Sequence, residues 1–456
     1  MIRWFTPLLL CSCADLIGIT EPRDLEVVEL VVSAGTLVPA FDPAVSSYAL
    51  KVGYPDATFE VHAAANDPEA RIDIAGVESV AGSGVAAVEI GDTTIEVVAR
   101  TASGVTRTYE IAVTRADLII AFAAPRMVPT QIPGMVDRVA IADFDGDGTP
   151  DLGAMTGTGE LGLLTNSGAA QFMFRGTMPY GVIRAIATRD LDLDGKPDLL
   201  VIGGSGLQIG RGLGNAQFEA PISCGGPPMP TAFSLFQFDS DGRVDLAIAD
   251  TGGRLAPMIG MPGMCFQSMP AIEQNVSPTQ LTVVASGPID NSLGDDLATL
   301  DPMQGQIFVH RNFGGNALSI EPLETGVGAH AVELVVADLD GDQHAEVIWI
   351  DRTTDDVVIQ RFPGPRGPSY RVPGNPRSLT VVDIDGDGAL DVLVLDNAGI
   401  TVLHNEAGGT FSKKSVPMAM PGVMRLAAAD LDGDGRADLA TANFTSTILV
   451  HLGVAP

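Results

Sequence analysis

Short apolar runs, rich in β-branched residues and bounded by Gly, Asp or Asn, recur along most of this chain. Val139-Ala140-Ile141-Ala142, Leu199-Leu200-Val201-Ile202, Val347-Ile348-Trp349-Ile350 and Val392-Leu393-Val394-Leu395 are examples. Four to six continuous apolar residues between turn formers predict strands buried on both faces. A third strand follows each pair after a Gly/Asn/Asp turn, as in Leu161-Gly162-Leu163-Leu164 and Ile400-Thr401-Val402-Leu403. A small-residue turn then leads to a fourth, as in Gly408-Gly409-Thr410-Phe411 and Gly214-Asn215-Ala216-Gln217-Phe218. Earlier in the chain the pattern is different. Ala57–Ala63, Thr93–Ala99 and Thr108–Val113 alternate apolar and polar residues, and the stretch 27–115 has room for about seven short strands of a β-sandwich.

Between the first two strands of each later unit stands a loop of acids. The clearest is Asp143, Asp145, Asp147 and Asp151, at places one, three, five and nine, with Gly148 sixth. The pattern recurs as Asp190/Asp192/Asp194/Asp198, Asp338/Asp340/Asp342/Glu346, Asp383/Asp385/Asp387/Asp391 and Asp430/Asp432/Asp434/Asp438. A thinner copy, Asp239/Asp241/Asp245, has Gln237 in first place, and a broken one spans Asp290 to Asp296. First places fall at 143, 190, 237, about 288, 338, 383 and 430, a near-constant period. Four strands in each of seven such units predict a seven-bladed β-propeller over 116–456. The fold class is therefore all-β, with a small sandwich preceding the propeller.

Acids two apart on a curled loop can face one centre, as a hard cation with six to eight oxygen ligands requires. The seventh place holds Thr149, Lys196, Arg243, His344, Ala389 or Arg436, which suits a ligand supplied by the backbone carbonyl. Asp-Gly pairs also make plain hairpin turns. A turn, however, needs one such pair, not four acids in fixed places. Ca²⁺ is the expected ion, with about five or six structural sites. The loop is not an EF-hand, whose twelve residues end in Glu and lie between helices.

The last unit stops after its third strand, near His451. A spare apolar run, 118–123, precedes the first acid loop and is expected to supply the missing fourth strand. Such an exchange closes the ring and leaves no open sheet edge.

Net charge is −31, which disfavours nucleic acid as a partner, since duplex binding relies on Lys and Arg. Of the 57 acids, 23 sit in the loops. Residues 1–13 carry one charge, Arg3, and a short apolar run too brief to span a bilayer. They read as an export signal, followed by a polar tether, 14–26. Leu10-Cys11-Ser12-Cys13 resembles the bacterial lipobox and implies lipidation of Cys13; plain secretion and a misplaced start are the alternatives. Cys224 and Cys265, in neighbouring repeats, either form a disulfide or remain two buried thiols.

Two family resemblances follow. Gly35-Thr36-Leu37-Val38-Pro39-Ala40-Phe41-Asp42-Pro43 with Tyr48, Gly91–Ile95 and the ending Tyr109–Arg115 resemble the bacterial cadherin-like β-sandwich. The resemblance implies a spacer or adhesion module, with Pro39, Phe41 and Tyr48 as core and corner residues. The acid loops, with a Gly-rich turn before Phe, resemble the FG-GAP/VCBS repeats of integrin α-subunit propellers and exported bacterial proteins. That family implies Ca²⁺ between the first and second strands, on one rim. Gln237, Gln343 in place of Gly, Glu346 and the broken fourth copy depart from its pattern.

His310, His404 and His451 fall at one repeat position by count from the loop starts and read as repeat inheritance, not a cluster. No nucleophile elbow, zinc-protease helix, phosphate loop or dinucleotide fingerprint appears. The expected function is an exported, surface-anchored module binding an extracellular protein or glycan, monomeric, and touching the membrane only through its lipid. A Ca²⁺-dependent polysaccharide lyase or esterase on the same propeller is the alternative. A structural envelope component is the third reading.

Overall fold

The computed structural model describes residues 24–454, except 55, 80, 240, 271, 274–280, 282, 291–293, 302, 314–317, 324–329, 373, 407, 421 and 424. The expected export signal, Cys13 and most of the expected tether lie outside the described residues. The chain divides into two compact units, ending at Ile119 and beginning at Ile120.

In the first unit, alternation puts every second side chain inside. Ser47–Val52 and Thr106–Arg115 bury Tyr48, Leu50, Tyr109, Ile111 and Val113 and expose the residues between them. Among the described residues nine strands, two more than expected, form a three-stranded and a six-stranded sheet. The Tyr48 hydroxyl donates to the Asp42 carbonyl at 2.7 Å, and the Tyr109 hydroxyl to that of Pro43 at 3.0 Å. Phe41 packs its ring 5.8 Å from that of Tyr48. Pro39 is exposed at the bend that follows Leu37–Val38, a corner residue and not a core one.

In the second unit, burial grades outward across each sheet. The sheet Val136–Ala142, Asp151–Thr156, Glu160–Asn166 and Phe172–Pro179 is typical. Its first strand is half-buried, its second entirely buried, and its fourth alternately exposed. Second strands are sandwiched between neighbouring sheets, which is why they are buried throughout and mostly apolar after their first acid. Seven sheets of four or five strands follow this plan among the described residues. Hydrophobic clusters join each sheet to the next. The last joins the ends, packing Leu152, Ala154 and Leu164 against Ala440, Ile448 and Val450.

The strand that completes the last sheet is Arg126–Pro129, paired antiparallel with Thr447–Val450, not 118–123. The reason is polarity. Outer strands face water, and Arg126-Met127-Val128-Pro129 is largely exposed. The apolar run instead sends Ile120 and Phe122 into the core between the sixth and seventh sheets. Only Ala121–Phe122 pairs, as a separate ribbon with Gly453–Val454. A second correction falls in the second sheet. Gln217–Phe218 makes a small hairpin with Gly212–Gly214, and the outer strand is Ile222–Ser223.

Candidate functional site: the acid loops

Each acid loop follows a first strand, so the loops share one rim, and they touch. A Cβ on Gly386 would lie 2.6 Å from the Gly435 carbonyl oxygen of the next loop.

Within a loop the acids curl the backbone around themselves. Asp143 accepts the Gly146 and Gly148 N–H groups at 2.6 and 3.0 Å. Asp145 accepts that of Asp147 at 3.2 Å, and Asp147 that of Thr149 at 2.7 Å. The seventh residue is held by the fifth acid in the same way at Lys196, Arg243, His344, Ala389 and Arg436, whatever its side chain. Gln343, the departure from Gly, takes φ +73° and donates its N–H to Asp338 at 2.8 Å, as Gly388 does to Asp383 at 2.8 Å. The loop therefore keeps its curl and carries the strain of a left-handed Gln.

The ninth acid has a separate task. Asp151 accepts Phe144 N–H at 2.8 Å and Asn166 N–H at 2.6 Å, tying the loop to the third strand. Asp198, Asp245, Asp391 and Asp438 each make both bonds. So does Asp296 in the broken copy, through the N–H groups of Asp290 and Asn312. Glu346 accepts Leu339 N–H at 3.0 Å and, on its other oxygen, Arg361. The clamp thus survives where the rest of the motif is lost. Burial raises these carboxyls, opposed by the N–H bonds and reinforced by neighbouring acids: Asp151 and Asp438 to about 6, Asp391 to about 7.

Carboxylate oxygens of Asp143/Asp145/Asp151, Asp190/Asp192/Asp194, Asp338/Asp340/Glu346 and Asp383/Asp385/Asp387 lie within 4.8 Å of one another. All donors are hard oxygens, which fits Ca²⁺.

The acids of a loop differ in burial. The fifth-place acids Asp147, Asp194, Asp241, Asp342, Asp387 and Asp434 are all exposed, whereas the ninth-place acids are buried. Place five falls at the crest of the curl, next to glycines such as Gly242, Gly433 and Gly435 at positive φ. Asp241 accepts Arg243 N–H at 2.8 Å and Asp434 accepts Arg436 N–H at 2.9 Å. Their own N–H groups donate to Asp239 and Asp432, each at 3.2 Å. In all six loops the fifth acid thus braces the turn from an exposed position.

The loops are not equivalent, and the difference comes from strand register. Leu152 pairs with Leu164, which sets Thr165 beside Asp151. The same count puts Arg211, Ile259, Arg311, Arg361, His404 and Leu452 beside the other ninth acids. Arg211 reaches Asp192 at 2.7 Å and Asp194 at 2.8 Å. Arg361 bonds Asp340, Asp342 and Glu346. Arg311 bonds Asp290 and, at 3.2 Å, Glu321. These guanidiniums bond the same oxygens that the sequence pattern assigns to a cation.

Register also separates the histidines. His310 pairs with Leu297 and His451 is set opposite Leu439, whereas His404 lies one residue further along, beside Asp391. The three therefore do not share one position. His310 is fully buried, bonded to Thr299 at 2.9 Å, and pushed down to about 3 by burial. His404 Nε2 is 3.2 Å from Asp385; burial pulls it down, but Asp385, Asp391 and Glu406 carry it above its ordinary value. Asp385, Asp391 and His404 make a further group able to hold a metal.

Asparagine latches also go unread in the sequence pattern. Asn166 Nδ2 donates to the Leu431 carbonyl at 2.7 Å, Asn312 to Phe238 at 3.0 Å and Asn405 to Leu339 at 2.5 Å. Each binds a third strand to the preceding sheet's loop. An Asn at a near-constant distance after the ninth acid was the available signal. Cys224 and Cys265 form a disulfide joining the second and third sheets, with Cα atoms 5.1 Å apart.

Residues 190–248 and 372–441 match the FG-GAP-like repeat family, and 24–116 the cadherin-like beta sandwich domain. The chain carries FG-GAP-like repeats and a cadherin-like β-sandwich. Among solved structures, BBS1N in complex with ARL6DN is similar at TM-score 0.53 and 16% identity, covering 73% of this chain and 96% of that one. A catalytically inactive virginiamycin B lyase from Staphylococcus aureus with quinupristin is similar at TM-score 0.50 and 10% identity, covering 73% and 100%. At such identities these likenesses establish the β-propeller fold of the FG-GAP unit and nothing further. No curated protein matches the chain.

Proposed function

We propose that this protein is an exported, Ca²⁺-stabilised seven-bladed propeller that binds an extracellular protein or glycan, with the cadherin-like domain as its spacer. The observation that carries the reading is the packing of the loop carboxylates within 4.8 Å of one another in successive FG-GAP repeats. Oxygens that close repel without a cation. The first and seventh loops, with Thr165 and Leu452 beside the ninth acid, are the most open to an ion. The second and fifth hold Arg211 and Arg361 in its place. The disulfide supports export, because such bonds persist in oxidising compartments. Lipidation of Cys13 would anchor the chain.

Thermal unfolding and calorimetry of the full chain, in chelator and in millimolar Ca²⁺, test the ion. A ligand that binds only the native state raises its stability. Asp383→Ala with Asp387→Ala removes one ion and leaves the others. Equal melting with and without Ca²⁺ overturns the reading.

A further inference from the structure

At the opposite end of the first strands from the acid loops, a cavity of about 340 Å³ opens among Arg138, Arg184, Thr231, Phe233, Glu333 and Arg425. Every one stands within the first four residues of a first strand, or just before it. Arg138 lies on Val136–Ala142, Arg184 on Ile183–Arg189, Glu333 on Ala331–Ala337, and Arg425 precedes Leu426–Ala429. Five sheets of the propeller thus converge on it, together with Val283 and Val284 of the fourth sheet. A concave site of this size, with a few convergent polar groups, suits a small ligand.

Three guanidiniums face one space in a chain of net charge −31. Arg138 is fixed, donating to the carbonyls of Ile183 at 2.7 Å and Arg184 at 3.0 Å, with Asp137 at 3.7 Å from its Nε. Arg425 lies 3.8 Å from Glu333, whose side chain is 13% exposed. Arg184 is exposed, and its guanidinium has no hydrogen bond or ion pair among the described residues. One cation is therefore anchored, one is paired, and one is open to a ligand.

We propose that this axial mouth binds an acidic sugar by its carboxylate. Arg184, with Arg138 behind it, offers the planar donors that grip a carboxylate. Glu333 repels a second negative charge and accepts hydroxyl donors beside the first. Phe233, Val283 and Val284 give the sugar ring an apolar wall. One carboxylate flanked by hydroxyls on a ring is a uronate. A polysulfated or phosphorylated chain meets Glu333 and is disfavoured.

The proposal names the ligand of the binding module and rests on that reading, but not on the cation. The test is titration of the full chain, in Ca²⁺, with trigalacturonate, its methyl ester and a neutral maltotriose. Saturable binding of trigalacturonate, absent for the ester and for maltotriose, is expected. Arg184→Ala, at an exposed position, should weaken it about tenfold to a hundredfold. Glu333→Gln should admit sulfated saccharides that the parent excludes. Trigalacturonate binding unchanged in Arg184→Ala overturns the axial site, as does no binding by the parent. Maltotriose binding that Arg184→Ala leaves intact also overturns the site, while it upholds the module.

Discussion

Arg361 offers the sharpest test of how the loops are neutralised. Its Nε lies 3.0 Å from Glu346, and its Nη2 lies 2.6 Å from Asp342 and also bonds Asp340. The two aspartates keep contact with water, so their loss counts for little. Glu346 differs, with a side chain only 6% exposed. In Arg361→Ala it keeps the Leu339 N–H on one oxygen and loses its partner on the other. A buried carboxylate left in that state costs about 1–3 kcal/mol. In chelator the variant should therefore melt a few degrees lower than the parent. Millimolar Ca²⁺ should erase the deficit, because the ion takes the place the guanidinium vacates. Calorimetry should then count one more ion in the variant than in the parent. An unchanged ion count, with a deficit that persists in Ca²⁺, would refute the competition between arginine and cation.

Asp391→Ala orphans the buried N–H groups of Ile384 and Asn405, for about 2–6 kcal/mol by denaturant unfolding in chelator; a loss under about 1 kcal/mol would show that the clamp does not hold the blade. Cys224→Ser with Cys265→Ser opens a 41-residue loop and should cost about 4 kcal/mol, read from the same unfolding curves. Asp151, Asp438 and Asp391 have folded-state pKa values raised to about 6, 6 and 7, so without a cation the folded state holds protons that the unfolded state sheds between about pH 4 and 7. Their contribution to stability is full below about pH 4 and lost as pH rises through about 6 to 7, while buried His310 acts oppositely below its ordinary value. Ca²⁺ displaces those protons, so the melting gain from Ca²⁺ should grow between about pH 5 and 7.5; a constant gain would refute the linkage.

Whatever depends on neighbours in the chain was legible in the residues. The period of the acids, the curl of each loop and the alternation of the sandwich strands all rest on hydrogen bonds or side-chain directions spanning a few residues. Even Gln343, which breaks the glycine rule, could not spoil the curl, because the bonds to Asp338 outlast one strained φ. Strand choice and register were a different matter. The apolar run 118–123 has the stronger local pattern, yet Arg126–Pro129 completes the last sheet, since only the assembled ring decides which segment faces water. The same holds inside a loop. Asp434 and Asp438 look alike along the chain, but only the second is folded under a neighbouring strand. Thr165, Arg211 and His404 look unrelated in sequence. Hairpin register brings each beside a ninth acid and so decides what charge each loop meets. The pairing of Cys224 with Cys265, the asparagine latches and the convergence of Arg138, Arg184 and Arg425 were likewise decided only in three dimensions. Their geometry is set by packing between sheets tens to hundreds of residues apart, and no local propensity encodes that distance.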